Sequence, residues 1–263
     1  MHRSSGTPYW LRSVVDQFWI AAGELEPFPR RLEGPVAWAL PLAIFKVPRL
    51  CVEDVERRLA ESGITFRVAT PDRVLHGCLV AYGGKGIVFL DGSDPEDELR
   101  FSLAHEIGHF LVDYVWPRDR ALKRLGPAIA EVLDGRRPPS LAERVDAMLG
   151  DAPIGVHTHL MDRLPSGEIG CGRISGVEHR ADRLALELLA PEDYVLRLLW
   201  SGQTLEEAGR ERRLELLLEE KFGLPHSVAR EYSRFLVGTG RRPPSVREWL
   251  EIDRPKAERL RGR

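Results

Sequence analysis

The sequence is poor in cysteine, has no long apolar run and carries almost no net charge. Its three cysteines, Cys51, Cys78 and Cys171, are odd in number and widely spaced. That pattern argues against a disulfide framework and fits three reduced thiols. No apolar run reaches the about 18 residues that a membrane-spanning helix needs; the stretch from Val36 to Val47 is shorter and is broken by Pro41. The opening residues MHRSSGTPYW lack the basic start, apolar middle and small-residue cleavage site of a signal peptide. A cytoplasmic protein without a membrane partner is expected. With 38 basic against 40 acidic side chains the formal charge is −2, so no global field draws the chain to nucleic acid. What is present is an ordinary globular composition, with 43% hydrophobic residues in 263, enough to bury a sizeable core.

Trp10, Leu11, Val14, Val15, Phe18, Trp19 and Ala22 recur at helical spacing, which predicts an amphipathic helix from near Pro8. Pro27, Pro29, Pro35, Pro41 and Pro48 then suggest a broken, extended segment. A short helix is expected over 52–62 and a strand over 64–69. Val74–Tyr82 and Ile87–Leu90 read as a hairpin turned by Gly83-Gly84-Lys85-Gly86. Asp94-Pro95 looks like a helix start, with Asp94 as the N-cap, and that helix should run to about Val115 with Pro117 beyond its end. Between 117 and 175 short helices are punctuated by proline, one of them opened by a Ser140/Glu143 capping box. Residues 151–176 read as a long loop or small extra hairpin. A second strong helix is expected from near Ser175 to Ala190, then helices over 192–200, 204–222 and 226–236, and a basic tail from Gly240.

The segment Ala104-His105-Glu106-Ile107-Gly108-His109 is an HExxH motif. Residues four apart share a helix face, about 5.4 Å apart along the axis, so His105 and His109 can both turn to one zinc ion. Glu106 cannot easily join them as a ligand. It can reach a water activated by the metal, where a general base is needed. Leu99, Leu103, Ile107, Phe110 and Leu111 line this helix with apolar side chains, a burial that a solvated charged face would not need.

A catalytic zinc takes three protein ligands and keeps one position open. Asp113 lies on the same stripe, but His105, His109 and Asp113 span about 12 Å of one helix, too far for one ion. His157 and His159 form an alternating pair that a strand could present, and Cys171 is a softer choice. Glu178 is preferred as the third ligand: it opens a second helix in which the small residues Ala181 and Ala185 permit close approach. Asp182, one turn on, is placed to accept the outer N–H of a zinc-bound histidine. The competing role for Glu178 is as the capping-box partner of Ser175. His76, His179 and His226 read as surface residues. Candidates for an oxyanion donor are Tyr82, Tyr114, Tyr194, Tyr232, His157 and His159.

Three stretches together resemble the ImmA/IrrE family of metallopeptidases: Arg100 to Phe110 around the motif, Glu178-x-x-Ala181-Asp182 with Leu188-Leu189-Ala190-Pro191, and Lys221-Phe222-Gly223-Leu224-Pro225 with Val228-Ala229. The resemblance covers roughly residues 50–115 and 175–237. It implies an α+β, zincin-like (gluzincin-like) fold with a small sheet beside the HExxH helix and a mostly helical C-terminal part. It implies one zinc per chain held by His105, His109 and Glu178, with Glu106 as catalytic base, and a helix-turn-helix repressor as substrate. The chain departs from the family in the long gap between His109 and Glu178, and in Leu184-Ala185 where the family has phenylalanine-alanine. Its parts would then be an N-terminal helix and proline-rich extension (1–50), a peptidase domain (51–200) with an insertion at about 117–175, and a C-terminal helical segment (201–263). A second reading is a non-catalytic regulator that binds DNA through a helix-turn-helix at 205–236. Against it, Ser227–Phe235 holds only Arg230 and Arg234 as cations, beside Glu231.

Overall fold

The computed structural model describes residues 7–23, 25–61, 63–64, 67, 71–163, 176–200 and 207–238. Most of the strand expected at 64–69, together with Cys171, Ser175 and the basic tail, lies outside these residues.

The architecture is α+β, mostly helical around one mixed four-stranded sheet. Its strands are β1 (Leu42–Val47), β2 (Leu75–Tyr82), β3 (Lys85–Asp91) and β4 (His157–Asp162), in spatial order β1-β3-β2-β4. β2 and β3 form the expected antiparallel hairpin, turned by Gly83-Gly84 alone, with Tyr82 paired to Lys85. Both glycines have positive φ, as a two-residue hairpin turn requires. β1 runs parallel to β3, and β4 pairs antiparallel with β2.

Successive strand side chains point to opposite faces, and here both faces are covered. Leu79, Ala81, Val88 and Leu90 join the main core, while Cys78, Val80 and Phe89 join a second core with Val52, Val55 and Leu59 of helix α3 (Val52–Glu61). The main core also takes Leu11, Val14, Val15, Phe18 and Trp19 of α1 (Tyr9–Ala22). The proline-rich segment is not simply extended: it holds helix α2 (Glu33–Ala39) before β1.

Helix α4 (Glu96–His109) lies against β2 and β3 with residues 101 to 109 all buried. Asp94 does not cap it. No side chain caps this helix, and the Asp94 carboxylate binds His76 and Arg163 instead. Three acidic residues in the first turn suit the positive end of the helix dipole. The helix also does not stop before Pro117. It widens into a π turn at Phe110–Val115 and resumes as α5 (Trp116–Leu125). In a regular α-helix the Pro117 ring would strike the carbonyl of residue 113; the wider turn removes that conflict.

A 3₁₀ turn, α6 (Ala130–Leu133) and α7 (Leu141–Leu149) follow, and the Ser140/Glu143 capping box is formed. The sequence then enters β4, a strand of the main sheet rather than a loop or separate hairpin. Helices α8 (Gly176–Leu189), α9 (Glu192–Trp200), α10 (Glu207–Glu220) and α11 (His226–Gly238) complete the described chain, all contributing to the main core. Among the described residues no helix is long and apolar enough to cross a membrane.

Candidate metal centre

The helical spacing of His105 and His109 brings their Nε2 atoms within 3.0 Å of each other. Their outer nitrogens are both taken. His105 Nδ1 lies 2.9 Å from Asp182 Oδ1, and His109 Nδ1 lies 2.8 Å from Asp113 Oδ2. A carboxylate on Nδ1–H fixes the tautomer and leaves the Nε2 lone pair pointing inward. Asp113 thus lies outside the cluster of candidate ligands, as its position along the helix required, and orients the His109 ring. Arg180 holds its other oxygen at 3.0 Å. The i,i+4 relation of His109 and Asp113 was the sequence signal for this role.

Glu178 reaches the pair because α8 runs unusually close to α4. A Cβ at Gly108 would stand 2.9 Å from the Cα and carbonyl oxygen of Ala181; only glycine permits that approach. Glu178 Oε2 then lies 3.4 Å from His105 Nε2 and 3.6 Å from His109 Nε2. Two facing imidazole nitrogens with a carboxylate against both can hold a metal ion. All three predicted ligands and Asp182 are brought together.

His159, an alternative to Glu178 in the sequence, is brought by the structure into the same cluster. His105, His109, His159 and Glu178 each offer a donor atom, all within 4.8 Å of one another. The His159 ring stacks on His109, with centroids 3.5 Å apart. Its Nε2 is 3.2 Å from Glu178 Oε1, and its Nδ1 lies 3.2 and 3.0 Å from the two Glu106 oxygens. Strand alternation in β4 was the available signal, but nothing local identified residues 157–162 as a strand of this sheet.

Glu106 is fully buried against Gly77 of β2, where a Cβ would come 3.2 Å from Oε1. Burial favours its neutral form, but His159 and the two motif histidines outweigh this and keep its pKa below the usual carboxylate value. Hydrogen bonds from His105, His109 and His159 likewise hold Glu178 well below it. Burial pushes His105 down, yet Asp182 and Glu178 raise it to about 9. In His159 burial is again overcome, here by Glu106 and Glu178, and its pKa is raised to about 10.

The remaining candidates lie elsewhere or are engaged. His157 stacks on Tyr114, and burial lowers its pKa. The Tyr114 hydroxyl accepts from Gly84 N–H, and Tyr232 donates to the Ala190 carbonyl. Tyr194 stacks on Phe28, and Tyr82 is partly exposed. His179 and His226 are exposed as expected, but His76 is fully buried beside Asp94 at 2.8 Å. His76, Asp94 and Glu98 form another group, in which Asp94 is also paired with Arg163, which reaches Asp91 as well. The chain matches no protein-family model, no curated protein and no solved structure.

Proposed function

We propose that this chain is a zinc-dependent peptidase of zincin-like fold, with His105, His109 and Glu178 as ligands and Glu106 as general base. The observation that carries the proposal is the ligand triangle. Donors of a tetrahedral zinc site, each about 2.0–2.1 Å from the ion, stand about 3.4 Å apart. Here the three separations are 3.0, 3.4 and 3.6 Å. Two nitrogens and a carboxylate oxygen are also a donor set that suits zinc.

When bound, zinc polarises the substrate carbonyl and acidifies the attacking water. The residues of the chain do the rest. Asp182 and Asp113 hold the imidazoles in one tautomer. Glu106, ionised and buried at the inner face of the site, takes the proton of the attacking water and passes it to the leaving amine. The resemblance to ImmA/IrrE peptidases supports a helix-turn-helix repressor as the substrate.

Metal content per chain, measured by atomic emission on wild type and Glu178→Ala, tests this reading. One zinc in the wild type and much less in the variant is expected. A wild type that takes up no zinc after reloading would overturn it. The regulator reading gains no support among the described residues: α10 and α11 bury their apolar faces in the main core, and Arg234 pairs with Glu211.

A further inference from the structure

Among the described residues, His159 is the hydrogen-bond partner of the buried Glu106 carboxylate and lies against both oxygens. Through its other nitrogen it touches Glu178. A histidine so placed is either a fourth ligand or a residue that holds the others in place. Two observations decide between these roles.

The first is the stacking on His109. Imidazoles bound through Nε2 to one tetrahedral ion have centroids about 5 Å apart, given metal–nitrogen bonds of about 2.0–2.1 Å. The His105 and His109 centroids are 4.7 Å apart, which fits. Those of His109 and His159 are only 3.5 Å apart, with the rings nearly parallel at 19°. Two face-to-face rings cannot both aim an in-plane lone pair at one ion in that geometry. The second is the choice of oxygen. His105 and His109 approach Glu178 Oε2, whereas His159 approaches Oε1.

We propose that His159 is a positioning residue of the peptidase site: it holds Glu106 at the metal and secures the outer oxygen of Glu178, without itself being a ligand. This rests on the peptidase reading above. Gly77 supplies the other wall, leaving Glu106 room between β2 and the His159 ring. His159 faces Leu79 across the β2–β4 ladder, so the edge strand of the sheet sets where the base stands. The segment between the two metal-binding helices is therefore part of the catalytic apparatus. It leaves the fourth position on the ion to water or substrate, as a catalytic site needs.

The test uses the full-length chain loaded with cobalt, read by its visible absorption, and acetohydroxamic acid as probe. A hydroxamate chelates the metal while a neighbouring carboxylate takes its proton, so its affinity reports whether the base is in place. His159→Ala is expected to keep one cobalt per chain and an unchanged ligand-field spectrum, but to bind the hydroxamate about tenfold or more weakly. Glu106→Gln should show a similar loss, and the double variant no further loss, because one residue acts through the other. His159→Gln, which keeps an amide donor, should recover part of the affinity and guards against a folding defect in the alanine variant. Loss of cobalt in both His159 variants, with the wild type loaded, would make His159 a ligand and overturn the proposal while leaving the metal site intact. Full hydroxamate affinity in His159→Ala, or losses that add in the double variant, would overturn it equally. A wild type that binds no cobalt would remove the peptidase reading, and this role with it.

Discussion

Each histidine of the HExxH motif is gripped at its outer nitrogen by one aspartate, and the two aspartates come from different helices. Asp113 sits on the continuation of the motif helix, Asp182 on α8. Replacing either with alanine frees an imidazole to rotate, and such outer partners are worth about 10–100-fold in metal affinity. Asp113→Ala is expected to weaken zinc binding by that factor, measured by competition with a chromogenic chelator, with the fold retained by circular dichroism. His105 should also make the metal-free protein pH-sensitive. Its pKa is raised from 6.5 to about 9. A group raised on folding contributes its full stability below the lower value and loses it as pH rises through the upper one. The metal-free protein should therefore lose stability as pH rises between about 6.5 and 9. Zinc affinity should rise over the same window, because the ligand imidazole must shed its proton. Thermal melts of metal-free and zinc-loaded protein at both ends of the window check both signs.

At the level of elements, the described part of the segment between Pro117 and α8 includes two stretches that differ in how they are held. One is β4, which belongs to the main sheet and carries His159. The other is the excursion through α7, residues 136–154, which closes on itself: Gly155 N–H donates to the Leu133 carbonyl at 2.8 Å, and a Cβ at Gly135 would lie 3.5 Å from the Gly155 Cα. On α7, Leu141, Val145, Met148 and Leu149 remain exposed, so the core gains little from this helix. Excising 136–154 and joining the ends through a short glycine linker should leave a folded chain with one zinc. Removing β4 as well should abolish both. Metal analysis and thermal melting of the two deletions separate these outcomes. The π turn after His109 belongs to this scale too. The sequence showed a helix ending before Pro117, because a proline inside a helix normally breaks it. A one-residue widening let the helix continue, a solution that local propensity does not announce.

At the scale of the molecule, the main core of the described residues joins α1 to the sheet, to the two helices α4 and α8 and to α11. The candidate ligands come from two helices, α4 and α8, that pack together in this core, so on the proposed zinc reading metal binding and global stability should be linked. Zinc at 100 times its dissociation constant should stabilise the native state by about 2.7 kcal/mol, if the unfolded chain binds none. A chelator should lower the melting temperature of the wild type and leave that of Glu178→Ala almost unchanged. An equal chelator effect on both would place the stabilising metal elsewhere.

The sequence alone determined the parts of the site that depend on local periodicity. HExxH on an apolar-lined helix needs only the 3.6-residue repeat to put two imidazoles on one face. Small residues four apart on a second helix suggested the close approach that delivers Glu178. The hairpin, the α7 capping box and the later helices were legible for the same reason: each is written within a few neighbouring residues. Tertiary structure decided what depends on long-range pairing. That 157–162 forms a sheet edge, that His159 thereby reaches Glu106, and that His76 is buried under Asp94 and Arg163 all follow from contacts between residues far apart in the chain. A strand's partner and register are fixed by the sheet it joins, and the six residues His157–Asp162, two of them histidine, carry no local mark of that sheet.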